Sequence, residues 1–377
     1  MLRVLLAGGG TAGHINPALA IASIIKDYHS DAEFLFAGTP NGMESRLIPK
    51  AGYDFAPIKV SGFQRKITPK NIMRNAKTIA YLTTAGHRAK QIIDGFKPDI
   101  VIGTGGYVSG PVVLKAAQMG IKTAIHEQNA FPGMTTKMLS KRVSSVMLTV
   151  EEAMEYLDKD IPYTVTGLPV RKGFSSVSRA DAKRELGIPE NEICILSTGG
   201  SLGAGRINET VAELMEWEVK NNIPVTHIHS YGGMGRETFL PSLAEKGVDY
   251  ENNPRIRPSE YIDNMPVCMA AADLVISRSG ANALSELEAM GRASILIPSP
   301  NVAGNHQYYN AMVLGKAGAA IVIEEKNLTG QVLIDNVSDL YRDGERLNRF
   351  AQRAASLYVS DTPERIYNVI SGLIGGK

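Results

Sequence analysis

Six short segments of this 377-residue chain bring together glycines, hydroxyls, amides, carboxylates and imidazoles. The first is Gly8-Gly9-Gly10-Thr11-Ala12-Gly13-His14, set between the apolar Val4-Leu5-Leu6 and Ala18 to Ile25, a stretch of helical composition. A strand–turn–helix of this kind directs backbone N–H groups and the positive end of a helix at whatever lies above, which favours phosphate or another anion. His14 follows at once, and an imidazole accepts a proton near neutral pH. An anion site and a base thus fall within one helical turn. Gly8, Gly10 and Gly13 also spell the dinucleotide pattern G-x-G-x-x-G, which requires an acid at the end of the next strand to hold a ribose hydroxyl. Here Glu33–Ala37 runs into Gly38-Thr39-Pro40 instead. The fingerprint is incomplete and disfavours a nicotinamide cofactor; a tight turn without a ligand is the plain alternative.

The other segments also stand where apolar runs end. Gly103-Thr104-Gly105-Gly106-Tyr107-Val108-Ser109-Gly110 is dense enough in glycine for another molecule to approach the backbone, although a surface turn has the same composition. His126-Glu127-Gln128-Asn129 sets four hydrogen-bonding side chains in a row, whose alternation sends some toward a ligand and some into packing. Gly199-Gly200-Ser201-Leu202-Gly203-Ala204 repeats the opening unit near mid-chain, ahead of a helix at about Asn208–Glu218. Ser277-Arg278-Ser279-Gly280-Ala281-Asn282-Ala283-Leu284-Ser285-Glu286 puts small residues at a helix start suited to a pyrophosphate. Glu286, two turns in, could accept from vicinal hydroxyls, or stand as a solvated helix acid. Gly304-Asn305-His306-Gln307-Tyr308-Tyr309-Asn310 offers amides to a sugar or a helix cap. Asp158-Lys159-Asp160 has the D-x-D spelling of a divalent-metal site, but it ends a helix of amphipathic pattern and follows no strand. Neither a metal nor a cofactor is expected.

Positioning these groups requires a regular scaffold. Strand-like runs at Arg3–Ala7, Glu33–Ala37, Asp99–Gly103, Thr123–His126, Ser145–Thr149, Tyr163–Thr166, Ile193–Ser197, Val225–His229, Leu274–Ser277, Ser294–Pro298 and Ala320–Ile323 alternate with helical stretches. Such alternation predicts parallel sheets covered by helices, and this length predicts two domains. The expected fold is α/β, with two Rossmann-like doubly wound domains facing a cleft. Their boundaries fall at 1–166 and 167–360, joined by Gly167-Leu168-Pro169-Val170-Arg171, with a helical tail over 361–377. If an anionic group leaves in a reaction here, Arg171 in that linker is the candidate to stabilise it; an ordinary surface arginine is the plain alternative. A net charge of +2 gives no indication of nucleic-acid binding. Cys194 and Cys268, far apart in apolar surroundings, read as reduced core residues. The chain opens directly into a strand rather than a signal peptide, and no run reaches the ~20 apolar residues of a bilayer span.

Taken in order, Gly-Gly-Thr-Ala-Gly-His, His-Glu-Gln-Asn, Gly-Gly-Ser-Leu-Gly-Ala, Arg-Ser-Gly-Ala…Ser-Glu and His-Gln-Tyr-Tyr-Asn-Ala resemble the MurG family of undecaprenyldiphospho-muramoylpentapeptide β-N-acetylglucosaminyltransferases. The resemblance covers almost the whole chain. It implies a GT-B glycosyltransferase, inverting and metal-independent, which moves N-acetylglucosamine from UDP-GlcNAc to the undecaprenyl-linked acceptor of peptidoglycan synthesis. By position, Thr11, Ala12 and Gly13 belong to the loop near the donor, with Asn129 and Arg171 reaching it from either side. Ser201 touches the diphosphate, and the backbone at Ile262 meets the uracil. Ala281, Asn282, Ala283, Leu284, Ser285 and Glu286 hold the nucleotide, with Glu286 on the ribose, while Gln307 reads the sugar hydroxyls. His14 matches the base, and Glu127 is the second catalytic candidate. Two departures stand out: Ala12 replaces a usual glycine, and Leu168 a usual asparagine. The methyl at Ala12 is tolerated where its φ is negative. The tail helix is implied to cross back to the first domain. A UDP-N-acetylglucosamine 2-epimerase, another glycolipid glycosyltransferase, and a nucleotide-sugar-binding subunit without chemistry share the architecture.

A lipid acceptor requires a membrane-facing surface. Residues 63–77 mix Arg65, Lys66, Lys70, Arg74 and Lys77 with apolar side chains, and Ile79, Tyr81 and Leu82 follow. Lys137, Lys141 and Arg142 add a second basic stretch. Such a face suits an anionic bilayer, and the expected location is the cytoplasmic side of the cell membrane, held peripherally. An ordinary amphipathic helix has the same pattern.

Overall fold

A computed structural model of the chain describes residues 1–60, 84–171, 173–174 and 177–375. The basic, apolar stretch at 63–77, with Ile79, Tyr81 and Leu82, lies outside the described residues. Two compact units are present: Met1–Pro169 with Val359–Lys377, and Val170–Tyr358.

The first unit is built on a parallel sheet. Its strands are β1 (Arg3–Gly8), β2 (Glu33–Gly38), β3 (Asp54–Pro57), β4 (Ile100–Gly105), β5 (Lys122–Glu127), β6 (Ser145–Leu148) and β7 (Tyr163–Val165), in spatial order β3-β2-β1-β4-β5-β6-β7. The second has β8 (Ile193–Thr198), β9 (Val225–Ser230), β10 (Ile256–Ser259), β11 (Leu274–Ser277), β12 (Ala293–Leu296) and β13 (Ala320–Val322), in order β10-β9-β8-β11-β12-β13. All the described pairings are parallel. In each sheet the winding reverses once, between β1 and β4 and again between β8 and β11. At such a switch point the loops beyond the strand ends diverge and leave room for a ligand.

Every strand expected from sequence is present to within two residues at either end. The two not anticipated, β3 and β10, are short edge strands containing Pro57 and Pro258. A proline cannot donate to a ladder, and an edge is where it is tolerated. The opening helix starts earlier than its composition indicates. It spans Ala12–Tyr28, so Gly13 and His14 lie inside its first turn rather than in the loop before it. The mid-chain helix likewise runs Gly205–Lys220. Asp158 and Asp160 do not end an amphipathic helix: a 3₁₀ turn, Glu151–Tyr156, precedes them, and Asp158 pairs with Lys141 at 3.2 Å.

The core of the first unit takes in the last helix of the chain. Ile366, Ile370 and Ile374 recur every four residues on Thr362–Ile374, which puts them on one face, and they pack with Ile15, Ile21 and Ile25. Tyr367 stacks on Tyr28 with ring centroids 3.7 Å apart, and its hydroxyl lies 3.0 Å from His29 Nε2. Among the described residues, no helix is long and apolar enough to cross a membrane.

The second unit buries a polar cluster beneath its sheet. The Ser197 hydroxyl lies 2.8 Å from His227 Nε2 and 2.7 Å from His229 Nδ1, and His227 Nδ1 is 3.0 Å from the Glu218 carboxylate. These four side chains are all buried. Burial, reinforced by the neighbouring His227, lowers the His229 pKa to about 3. Above pH 6.5 the group is neutral whether the chain is folded or not. As pH falls from 6.5 toward 3, only the unfolded chain binds the proton, so stability declines by up to about 1.4 kcal/mol per pH unit. Trp217, the one tryptophan, lies in this unit, and its fluorescence follows denaturant unfolding there. Unfolding midpoints should drop steadily between pH 6.5 and 4, and His229→Gln should flatten that slope.

Candidate active site

Most candidate residues sit at or beyond the carboxyl ends of strands at or beside a switch point; Arg171 and Ile262 instead follow the edge strands β7 and β10. In the first unit, the loops after β1 and β4 meet backbone to backbone. A Cβ on Gly106 (φ 77°) would stand 2.2 Å from the Gly9 carbonyl oxygen, and one on Gly8 2.1 Å from Thr104 Oγ1. Neither position has room for a side chain. Gly10, at φ 85°, takes the left-handed conformation that completes the turn. Ala12 is outside the positive-φ set, so its methyl fits without reshaping the loop.

The turn is pinned from below by Glu44, which is fully buried. Its carboxylate accepts from Gly10 N at 3.1 Å, Thr39 N at 2.9 Å and Thr39 Oγ1 at 2.5 Å. Burial pushes this carboxyl up, but the bonds from Thr39 and Gly10 outweigh it and hold the group below the usual carboxylate range. This corrects the simplest expectation for the first turn, since Gly10 N–H serves an internal anion. Thr11 and Gly13 are exposed, Thr11 begins the helix without a side-chain cap, and the His14 N–H is taken by the Thr11 carbonyl at 3.1 Å, which leaves the N–H groups of Ala12 and Gly13 for a ligand.

His14 is half-buried. Its ring lies against Gly105, where an added Cβ would be 2.6 Å from Nδ1, and Nδ1 is 3.1 Å from Gln128 Oε1. Thr104 Oγ1 donates to the His14 carbonyl at 2.8 Å. Glu127, the other catalytic candidate, is bound inward. One of its oxygens accepts from Asn129 N and Nδ2, each at 3.0 Å; the other accepts from Gly133 N at 3.0 Å and from the Thr136 hydroxyl. That arrangement shapes the loop carrying Asn129. Leu168 is buried at the end of the same unit.

In the second unit, the loop after β8 is stretched tight by Gly200 (φ 88°) and Gly203 (φ 80°), with Ser201 exposed between them. A Cβ on Gly203 would be 2.1 Å from the Tyr231 carbonyl oxygen. Beyond β11, Ala281–Met290 is a helix capped by no side chain. Ala281, Asn282 and Ala283 are half-buried at its start, whereas Leu284 faces the core and Ser285 is buried. Ser279 is fully buried and donates to the Gln307 carbonyl at 2.8 Å. The Gln307 side-chain oxygen accepts from Ser299 N at 2.9 Å, which turns its NH₂ away as a donor. Ile262 packs in the core, so only its backbone is available to a base.

Arg171 and Glu286 form a pair. Arg171 Nε and Nη2 both donate to Glu286 Oε1, at 2.8 and 2.7 Å, and the guanidinium lies over the Phe174 ring at 4.8 Å. Glu286 is buried, and burial keeps its carboxyl above the ordinary range, only partly offset by Arg171. Arg278, which the sequence pattern does not set apart from its neighbours, reaches the carbonyls of Ile297 and Pro298 and pairs with Glu325. Glu44 also went unanticipated, because nothing in its helical neighbourhood marks it as a partner for a turn 34 residues earlier. Lys137 lies over the Phe131 ring at 3.9 Å on a short helix whose Met134 and Met138 are exposed, with exposed Tyr107 on the neighbouring helix.

Comparison with known proteins agrees in both units. Residues 4–148 match the glycosyltransferase family 28 N-terminal domain, and residues 194–366 the family 28 C-terminal domain. A UDP-N-acetylglucosamine–N-acetylmuramyl-(pentapeptide) pyrophosphoryl-undecaprenol N-acetylglucosamine transferase of Acetivibrio thermocellus is 42% identical, over 100% of this chain and 99% of its own. The protein of that name from Thermoanaerobacter sp. strain X514 is 41% identical, over 99% of this chain and 100% of its own. Among solved structures, Acinetobacter baumannii MurG aligns with a TM-score of 0.79 and 27% identity, covering 99% of this chain and 100% of that one. UDP-GlcNAc 2-epimerase from Neisseria meningitidis, at 12% identity and a TM-score of 0.66, shares the fold alone. The chain belongs to the MurG family of glycosyltransferases, with two α/β domains of the GT-B class.

Proposed function

We propose that this chain transfers N-acetylglucosamine from UDP-GlcNAc to undecaprenyl-pyrophosphoryl-MurNAc-pentapeptide, with inversion at the anomeric carbon. The observation that carries the reading is the full-length identity of about 40% to transferases of that name, together with an imidazole on the uncapped helix start of the first unit. The second unit takes the nucleotide sugar. Its uncapped helix at Ala281 and the glycine loop around Ser201 supply N–H donors to the diphosphate, where negative charge builds as the sugar leaves. Glu286 accepts from the ribose hydroxyls, with Arg171 holding the carboxylate in place. The Gln307 NH₂ and the backbone at Ile262 serve the sugar and the uracil. On the first unit, Thr11, Ala12, Gly13 and Asn129 border the reacting groups.

His14 is the base that takes the proton from the attacking hydroxyl, and Glu127 shapes the loop beside it. A general base contributes about 10²–10⁴ in rate. Incubating the enzyme with labelled UDP-GlcNAc and the lipid acceptor should move label into the lipid, and an unlabelled lipid would overturn the reading. His14→Ala should lower kcat by about 10²–10⁴ while UDP affinity stays within twofold. An equal loss of UDP affinity would instead assign His14 to nucleotide binding. Glu286→Ala should weaken UDP binding, read by calorimetry, about tenfold or more, the range of a hydrogen bond to a charged group.

The acceptor is reached peripherally at an anionic membrane on the cytoplasmic side. Support comes from Lys137 beside exposed Met134, Met138 and Tyr107, and from the basic composition of residues 63–77. Each cation near such a surface adds about 1 kcal/mol. Neutralising Arg65, Lys66, Lys70, Arg74, Lys77 and Lys137 together should reduce sedimentation with phosphatidylglycerol vesicles at least a hundredfold. Undiminished binding would remove this surface from the membrane.

A further inference from the structure

We infer that His126 and Gln128 are positioning residues that decide which nitrogen of His14 carries the proton, leaving Nε2 as the nitrogen with the lone pair. The inference deepens the reading of His14 as the base and rests on it. The constraint begins at Gly167, held at φ 75° where a Cβ would strike Thr362 Oγ1 at 2.3 Å. Its carbonyl oxygen lies 3.0 Å from His126 Nε2. A carbonyl only accepts, so Nε2 carries hydrogen. The His126 ring is buried, and burial lowers its pKa below the ordinary value, which keeps it neutral. Its Nδ1 therefore bears the lone pair.

Gln128 Nε2 lies 3.1 Å from that lone pair and 2.7 Å from the His126 carbonyl oxygen. Both are acceptors, so both amide hydrogens point to them. The opposite orientation would press Oε1 against a carbonyl oxygen and a lone pair. The Gln128 oxygen is thereby turned outward to His14 Nδ1, 3.1 Å away. An amide oxygen only accepts, and His14 Nδ1 must donate. His14 Nε2 is then left without a proton and able to accept one.

The selection uses no charge. Glu44 is engaged by Gly10 and Thr39, and Glu127 by Asn129, Gly133 and Thr136, so neither carboxylate is the partner of the His14 ring. In serine-protease triads a carboxylate does this work, and losing the correct tautomer there costs about 10⁴ in kcat. Here a buried neutral imidazole and an amide do it.

The test uses the full-length enzyme labelled with nitrogen-15 at its seven histidines, the His14 signals being assigned by their loss in His14→Asn. At pH 8 the wild type should show His14 protonated at Nδ1. Gln128→Met should shift it toward the Nε2–H form, with kcat down about 10- to 100-fold and the KM for UDP-GlcNAc within twofold. At position 126, Asn offers an oxygen where Nδ1 stood, whereas Gln offers a group only where Nε2 stood. His126→Asn should therefore retain most of kcat, and His126→Gln should fall as Gln128→Met does. A His14 protonated at Nε2 in the wild type, or a tautomer unmoved by Gln128→Met, overturns the inference. A tautomer that shifts while kcat stays constant upholds the positioning and overturns the reading of His14 as base.

Discussion

The contact on which the first half-site depends is that between two backbones, Gly9 and Gly106, at the point where the winding of the sheet reverses. Parallel strands deliver their loops to one edge of a sheet, and only at a switch point do neighbouring loops start apart. Here the loops after β1 and β4 return toward each other until a methyl group would not fit between them. That closeness brings His14 onto Gly105, and Thr104 onto the His14 carbonyl. The buried Glu44 carboxylate secures the same turn from the interior side. A chain with ordinary side chains at Gly8, Gly105 or Gly106 could keep the sheet and lose the geometry.

The second unit also closes a pair of loops on glycine, here beside its switch point rather than at it. Its tight glycine contact joins the loops after β8 and β9, at Gly203 and Gly232, and leaves Ser201 standing clear. Two ion pairs, Arg171 with Glu286 and Arg278 with Glu325, involve residues of the helix that starts uncapped at Ala281 or of the loop just before it. Elsewhere in this unit, helix starts at Ser178, Thr329 and Asp343 carry side-chain caps, while those at Thr238 and Asn264 do not. A helix start that lacks a cap keeps its N–H groups available for a ligand.

Much of this was legible in sequence, and the exceptions have causes. Strand alternation was plain because doubly covered parallel strands are nearly pure apolar runs, as Val4-Leu5-Leu6 and Val101-Ile102 show. β3 and β10 give no such signal because they are short and contain proline, which an edge tolerates. The helix start at Ala12 does not show in composition because Gly13 and Pro17 conceal it. The candidate segments were readable as glycines and polar groups at strand ends, but the division of labour inside them was not. His126-Glu127-Gln128-Asn129 gives no sign that Gln128 reaches His14, because a contact 114 residues apart in sequence leaves no local pattern, and Glu127 turns inward to partners within nine residues that no periodicity marks. Glu44 escaped notice for the same reason.

The last helix, Thr362–Ile374, has a consequence for the order in which the molecule assembles on the ribosome. Its isoleucines join the hydrophobic interior of a unit whose strands all lie before residue 170. The intervening unit, Val170–Tyr358, is contiguous and emerges whole before that helix exists. The first unit thus gains the packing of Ile366, Ile370 and Ile374 only after the whole of Val170–Tyr358 has been made.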